Sequence, residues 1–151
     1  MSVSLYGSGQ TVIQVVQATY STLASTSSAT LATTGLTASI TPQSTTSKIL
    51  VLVNVPCGKT SASASNTGQL AIYRAGSSIF SIGDYIGYTG GAASNYFSAS
   101  SAYLDSPATT SSTVYAVYFA STNGTSQFQV NPANTVGNSS STITLLEISG
   151  S

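Results

Sequence analysis

Ser39-Ile-Thr-Pro-Gln-Ser-Thr-Thr-Ser-Lys-Ile-Leu-Val-Leu-Val-Asn-Val55 is the stretch whose reading decides the fold. Pro42 fixes its own φ and pushes Thr41 into an extended conformation, so no helix runs through this point. The polar run from Gln43 to Ser47 makes a corner. From Ile49 to Val55 both parities are apolar: Ile49, Val51, Val53 and Val55 point one way, Leu50 and Leu52 the other. A strand with one wet face alternates apolar and polar residues, so this strand is expected to be covered on both sides. One cover is the domain's own core. The candidate for the other, over Leu50 and Leu52, is a neighbouring subunit.

Outward from that strand the chain reads as a succession of further strands. Thr11 to Tyr20 carries Val12, Gln14, Val16 and Ala18 on one parity and Ile13 and Val15 on the other. Ser21 to Thr34 reads as a loop and a weak edge strand with Leu23, Ala29 and Leu31 as inward candidates. Gly35 to Thr41 is a short strand through Leu36, Ala38 and Ile40. Leu70 to Arg74 and Ile79 to Ile82, joined through Ala75-Gly76-Ser77, read as a hairpin. Thr113 to Ser121 is near-continuously apolar, and Asn123-Gly124 predicts a hairpin to Ser126 to Val130. Thr142 to Ile148 is again apolar on both faces, through Ile143 and Leu145 and through Leu146 and Ile148. Gly58 to Gly68 and Asn131 to Ser141 read as loops, and the Gly- and Tyr-rich segment Gly83 to Ser101 is the least strand-like long stretch. About eight to ten strands with no helical stripe predict an all-β fold, an antiparallel β-sandwich of jelly-roll type. Residues 1–10 are expected to be an N-terminal arm or lead-in and 11–151 a single sandwich domain.

Charge narrows the function classes. Only 4% of the 151 residues are charged: Lys48, Lys59 and Arg74 against Asp84, Asp105 and Glu147, for a net charge of zero. A soluble domain normally carries about a quarter. Ser and Thr, roughly a third of the chain against far lower average usage, must do the solvating, and such a surface does not keep copies apart. Three basic residues cannot neutralise a nucleic-acid backbone, and they cannot anchor the chain to an anionic membrane. No apolar run approaches the roughly eighteen residues of a spanning helix. The N-terminus has no basic residue before its first apolar stretch, which Gln14 and Gln17 interrupt, so a signal peptide is not expected and synthesis is assigned to the cytoplasm.

Titratable chemistry is sparse. With no His in the chain, Cys57 lacks the usual partner of a nucleophile, and as the single cysteine it forms no intramolecular disulfide; burial as a small hydrophobe is expected. Asp105, beside the turn signal at Pro107, reads as an Asx turn or cap. Glu147 is expected to pair with Lys48 or Arg74, and Asp84 to be a solvated loop residue. Two of these acids would have to converge for glycoside hydrolysis; catalysis, a metal site and a cofactor are not expected. Gly7-x-Gly9 and Gly87 to Gly91 lack the lysine and the strand-to-helix setting of a phosphate loop.

One set of motifs resembles a known family: Gln-Ala-Thr-Tyr (17 to 20), Thr-Gly-Leu-Thr-Ala-Ser-Ile-Thr-Pro (34 to 42), Ser-Lys-Ile-Leu-Val (47 to 51), Leu-Asp-Ser-Pro (104 to 107), Val-Tyr-Ala-Val-Tyr-Phe (114 to 119) and Ser-Thr-Ile-Thr-Leu-Leu-Glu-Ile (141 to 148). From Thr11 to Ser149 the chain resembles the β-sandwich module of tailed-phage structural proteins, of the marine and cyanophage type, found in tail fibres and capsid appendages. The resemblance implies a virion location and a homotrimer with one sheet facing the three-fold axis, which would supply the cover over Leu50 and Leu52. Fibre members carry a stem or attachment segment, whereas this sequence begins almost at once with the module. The expectation is therefore a capsid decoration, cement or knob protein bound to the major capsid protein or another virion protein. The alternative is a receptor-binding or adhesin module that engages host glycans. Tyr85, Tyr88, Tyr96, Phe97 and Tyr103 form the candidate interaction surface, with core or subunit packing, contact with another virion protein and glycan stacking as the competing readings.

Overall fold

The computed structural model describes residues 9–60, 66–91, 93–124, 126–134 and 137–150. The arm expected over residues 1–10 lies outside them except for Gly9 and Gln10. In chain order the strands are β1 (Val12–Tyr20), β2 (Ala24–Thr26), β3 (Ala32–Ile40), β4 (Lys48–Lys59), β5 (Gly68–Arg74), β6 (Ser77–Ile86), β7 (Asn95–Asp105), β8 (Thr113–Ser121), β9 (Phe128–Val130), β10 (Ala133–Asn134), β11 (Gly137–Asn138) and β12 (Ser141–Ile148).

All pairings are antiparallel, and the long strands form two layers in the orders β1-β12-β4-β7 and β3-β8-β5-β6. The chain changes layer at every connection between long strands except the β5–β6 hairpin, which is the strand order of a jelly roll. The central strand is β4, and its partners show how its two edges are used. β7 runs along all of it, from Ile49 opposite Asp105 to Lys59 opposite Asn95. The other edge must therefore serve both β12, opposite Lys48 to Asn54, and β9, opposite Cys57 to Lys59. Pro56 sits at the changeover, where its missing N–H interrupts no ladder, and its carbonyl accepts the Asn131 N–H at 2.9 Å.

One face of every long strand fills the space between the layers. Ile49, Val51, Val53, Val55 and Cys57 of β4 meet Leu36 and Ile40 of β3, Leu70 and Ile72 of β5, and Tyr115, Val117 and Phe119 of β8, with Ile143 and Leu145 beside them on β12. Each large side chain so enclosed contributes about 1.5–3 kcal/mol relative to exposure. The expected hairpin between β5 and β6 is present. Ala75 and Gly76 both have positive φ (48° and 83°), the backbone a two-residue turn needs to match the strand twist.

Three sequence expectations are corrected. Asn123-Gly124 does not close a hairpin, because β8 is already flanked by β3 and β5 and has no free edge for β9, which pairs with β2 and β4 in the opposite layer. The Asn123 side chain instead shapes a crossing turn, accepting from the Ser126 N–H and the Ser121 hydroxyl, both at 3.1 Å. Gly83 to Ser101 is mostly strand: β6 continues to Ile86 and β7 begins at Asn95. Of the inward positions of β7 within it, Phe97 is large, but Ala99 and Ser101 are too small to extend the pattern. Leu23 and Ala29 are exposed, and the inward positions of that region are Ala24 and Thr34.

Candidate functional site

The outer face of the β1-β12-β4-β7 sheet is built by the second parity of those strands. Register places Val15, Leu146, Leu50 and Leu104 side by side in one row. Gln17, Thr144, Leu52 and Ala102 form the next row, and Thr19, Thr142, Asn54 and Ser100 the one beyond. Val15 is 60% exposed, Leu104 38% and Leu52 37%; Leu50 and Leu146 are half-buried by their neighbours. Val12 and Ile13, at the bulge where β1 starts, extend the apolar area. On the same rung, beyond Ile148, Lys48 bounds it, its ammonium donating to the Ser106 hydroxyl at 2.7 Å. Leu50 and Leu52 thus lie on an outward face that no other described element covers. Contiguous exposed apolar area of this kind is uncommon on a monomer.

The outer face of the other layer is different. Thr33, Thr37 and Ser39 of β3 lie beside Tyr118, Ala116 and Val114 of β8. Tyr73 stacks on Tyr118 with ring centroids 3.9 Å apart, roofing Ala71 and Ala116. Sequence reasoning missed this pair. Its signal was the diagonal placement of two tyrosines over alanines, legible only once the β5–β8 register is known.

The five aromatics of the candidate interaction surface divide. Phe97 and Tyr103 turn inward: Phe97 lies opposite Cys57, and Tyr103 stacks on Phe80 at 4.8 Å. Tyr85, Tyr88 and Tyr96 are outward, at 73%, 66% and 50% exposure. Tyr85 holds a φ of 59°, a left-handed conformation unusual for a bulky residue. Tyr96 lies over Gly58, where a Cβ would come within 2.4 Å of the ring. Beside it an open cleft of about 290 Å³ is walled by Pro56, Ser98 and Pro132.

The acids are engaged inside the protein. Asp105 caps nothing: both of its carboxylate oxygens accept from Arg74 Nη1 at 2.8 Å, and the Tyr115 hydroxyl donates to it at 2.6 Å. Burial, then the hydrogen bond to that carboxylate, pushes the Tyr115 hydroxyl well above its ordinary range. Glu147 does not pair with a cation, as had been expected. It accepts the Gln43 N–H at 2.6 Å and the Gln14 amide at 3.1 Å. Both acids flank Ile49 on one rung of the sheet and face inward, Glu147 with no exposure at all. Asp84 is exposed. Cys57 is buried, and burial pushes its thiol up to about 12. Among the described residues no three of His, Cys, Asp and Glu gather as metal ligands would.

No protein-family model matches the chain, and no curated protein matches it. Among solved structures, a chain in the "Structure of infectious bursal disease virus Gx strain" aligns with a TM-score of 0.42 and 10% identity over 91% of this chain. This chain spans 37% of the length of that one.

Proposed function

We propose that the protein is a virion structural protein whose work is binding: a capsid decoration, cement or knob protein that docks on an assembled phage shell as a homo-oligomer. The observation that carries this reading is the outward row Val15, Leu146, Leu50 and Leu104, apolar side chains in register on a sheet face that no described element covers. Around a three-fold axis, copies of that face bury one another; the rest of the surface, carrying almost no charge, meets shell proteins with little electrostatic desolvation to overcome. The phage-module resemblance of the sequence motifs supports the setting. Jelly rolls serve both capsid and sugar-binding proteins, so the fold by itself favours neither.

A second reading has its own observation. Tyr85, Tyr88 and Tyr96 are presented outward at one end of the sandwich, Tyr85 in a strained conformation of the sort that concentrates at functional sites. Such rings suit sugar stacking in an adhesin. Copy number separates the two. Quantitative densitometry and imaging of particles should find many copies, in a ratio set by shell symmetry; a handful at the tail tip would refute the decoration reading.

A further inference from the structure

β7 pairs with β4 along one edge, and no described strand pairs with its other edge. Among the described residues, four of the long strands have one unpaired edge at the margins of the two layers: β1 and β7 in one, β3 and β6 in the other; the three-residue β2 ends the first layer beside β9. Native edges are normally blunted by bulges, charges or proline. β1 has a bulge between Val12 and Gln14, β3 a register shift between Thr33 and Thr37, and β6 several irregularities against β5. β7 has none. Its register with β4 is unbroken from Asn95 to Asp105, it has no proline, and its single charge, Asp105, is turned inward and held by Arg74.

The groups this edge offers follow from the hydrogen-bond directions. In an antiparallel strand the N–H and C=O of one residue point to the same edge, and successive residues alternate. Pro56 sends its carbonyl toward the β12 and β9 side, so the even-numbered residues of β4 serve that side and the odd-numbered ones serve β7. Their opposite numbers on β7 are likewise odd. Tyr96, Ser98, Ser100, Ala102 and Leu104 therefore turn their backbone N–H and C=O groups to the open edge, where no described strand pairs with them.

We infer that this edge pairs antiparallel with β7 of a second copy, around a two-fold axis at Ser100. That register is self-complementary. It brings every outward-directed N–H opposite a C=O of the second copy, for about ten inter-chain hydrogen bonds. It sets Tyr96 against Leu104 of the second copy on the outer face, and Phe97 against Tyr103 on the inner one, pairs that stabilise neighbouring strands. Asp105 meets Asn95, so like charges do not face each other. Tyr96 of the second copy also prolongs the row Val15, Leu146, Leu50 and Leu104, making one continuous apolar band across both molecules. The contact is independent of any virion role. Combined with a three-fold face contact, it gives an assembly with both axes.

Ser100→Pro is the test. It removes an N–H that points to the free edge and leaves the β4 ladder intact; only the hydrogen bond from the Ser100 hydroxyl to the Asn54 side chain is lost. The wild-type protein should show an even-numbered mass by light scattering, and S100P should halve it while keeping the wild-type circular dichroism spectrum. Ser101→Pro, which removes an N–H used by β4, should instead unfold the domain. As a measurement that needs no proline, Ser100→Cys should cross-link into dimers with a short bis-maleimide, and Ser39→Cys on the other layer should not. A monomeric wild type, an unchanged mass for folded S100P, or no Ser100→Cys dimer overturns the inference. Should S100P not fold, the cross-link decides.

Discussion

Leu52→Glu tests the apolar face most directly. In the isolated chain Leu52 is 37% exposed, between Thr144 on β12 and Ala102 on β7. Full burial of a leucine contributes about 1.5–3 kcal/mol, so the remaining third is worth about 0.5–1 kcal/mol per copy when a neighbour covers it. A carboxylate in the same place must shed its water in the contact, at a cost of several kcal/mol per ion. The sum, about 3–5 kcal/mol per contact, weakens association by roughly 10²–10⁴-fold, since each 1.4 kcal/mol is a factor of ten. Folding should hardly notice. Thr144 and Ala102 leave the carboxylate room to reach water, and a substitution on such a half-wet sheet face costs about 1 kcal/mol or less, a shift of roughly 2–4 °C for a domain of this size. Mass by light scattering across a dilution series, with thermal unfolding followed in parallel, separates the two effects. Leu52→Ser, which removes apolar area without adding charge, should weaken association by no more than about tenfold on the same arithmetic. If L52E keeps the wild-type mass down to the lowest concentration while folded, the face is a solvent face and the reasoning fails.

Cys57 makes a pH prediction. Its thiol is held up to about 12 in the folded protein against 9.0 in the unfolded chain, so the unfolded chain loses its proton first as pH rises. The stabilising contribution is fully present below about 9 and is lost as pH climbs toward 12. Denaturant midpoints should fall over that window less steeply in Cys57→Ala, and a thiol reagent at pH 8 should react only after unfolding. Asp105→Ala should cost about 2–4 kcal/mol, because it strands the fully buried Tyr115 hydroxyl and the half-enclosed Arg74 guanidinium; Tyr115→Phe in the same background should recover part of the loss in a denaturant titration. Gly58→Ala places a methyl 2.3 Å from the Asn95 carbonyl oxygen and 2.4 Å from the Tyr96 ring. It should lower stability by about 1–3 kcal/mol and show in Tyr96 ring shifts by NMR.

Much of the sandwich was legible because its inward residues are large. Ile49, Val51, Val53 and Val55 announce β4, and Tyr115, Val117 and Phe119 announce β8, each by period two. Of the double apolar parity of β4, one parity is core and the other lies on an outer face that no described element covers; the neighbour expected over Leu50 and Leu52 belongs to the proposal. Where inward residues are small the pattern disappears, as at Ala99 and Ser101 of β7, and a long strand reads as loop. The Asn-Gly turn misled for a topological reason, since local turn chemistry does not know that both edges of β8 are taken. Partner choice among the charged residues failed likewise. Asp105 and Glu147 stand on one rung on either side of Ile49, and only the tertiary fold, which brings Arg74 at the end of β5 to the first, leaves the second to Gln43 and Gln14. In the aromatic loop, alternation along β7 divides the candidates: even-numbered Tyr96 goes out, odd-numbered Phe97 and Tyr103 go in.

The few charges of the chain are mostly withdrawn from its surface as well. Lys59 is buried with its ammonium donating to the Gly91 carbonyl at 3.2 Å, Glu147 and Asp105 face the interior, Arg74 is clamped on Asp105, and Lys48 is tied to Ser106. Neither the apolar rows nor the open edge of β7 thus contains an ion that association would have to desolvate. For ordinary soluble domains scattered charge is the main barrier to unwanted pairing of sheet edges and faces. Among the described residues that barrier is slight on this side of the molecule, and backbone irregularities are present on β1, β3 and β6 and missing on β7. The inferred pairing uses the one long edge strand whose register is straight, beside a face of leucines and valine that no described element covers.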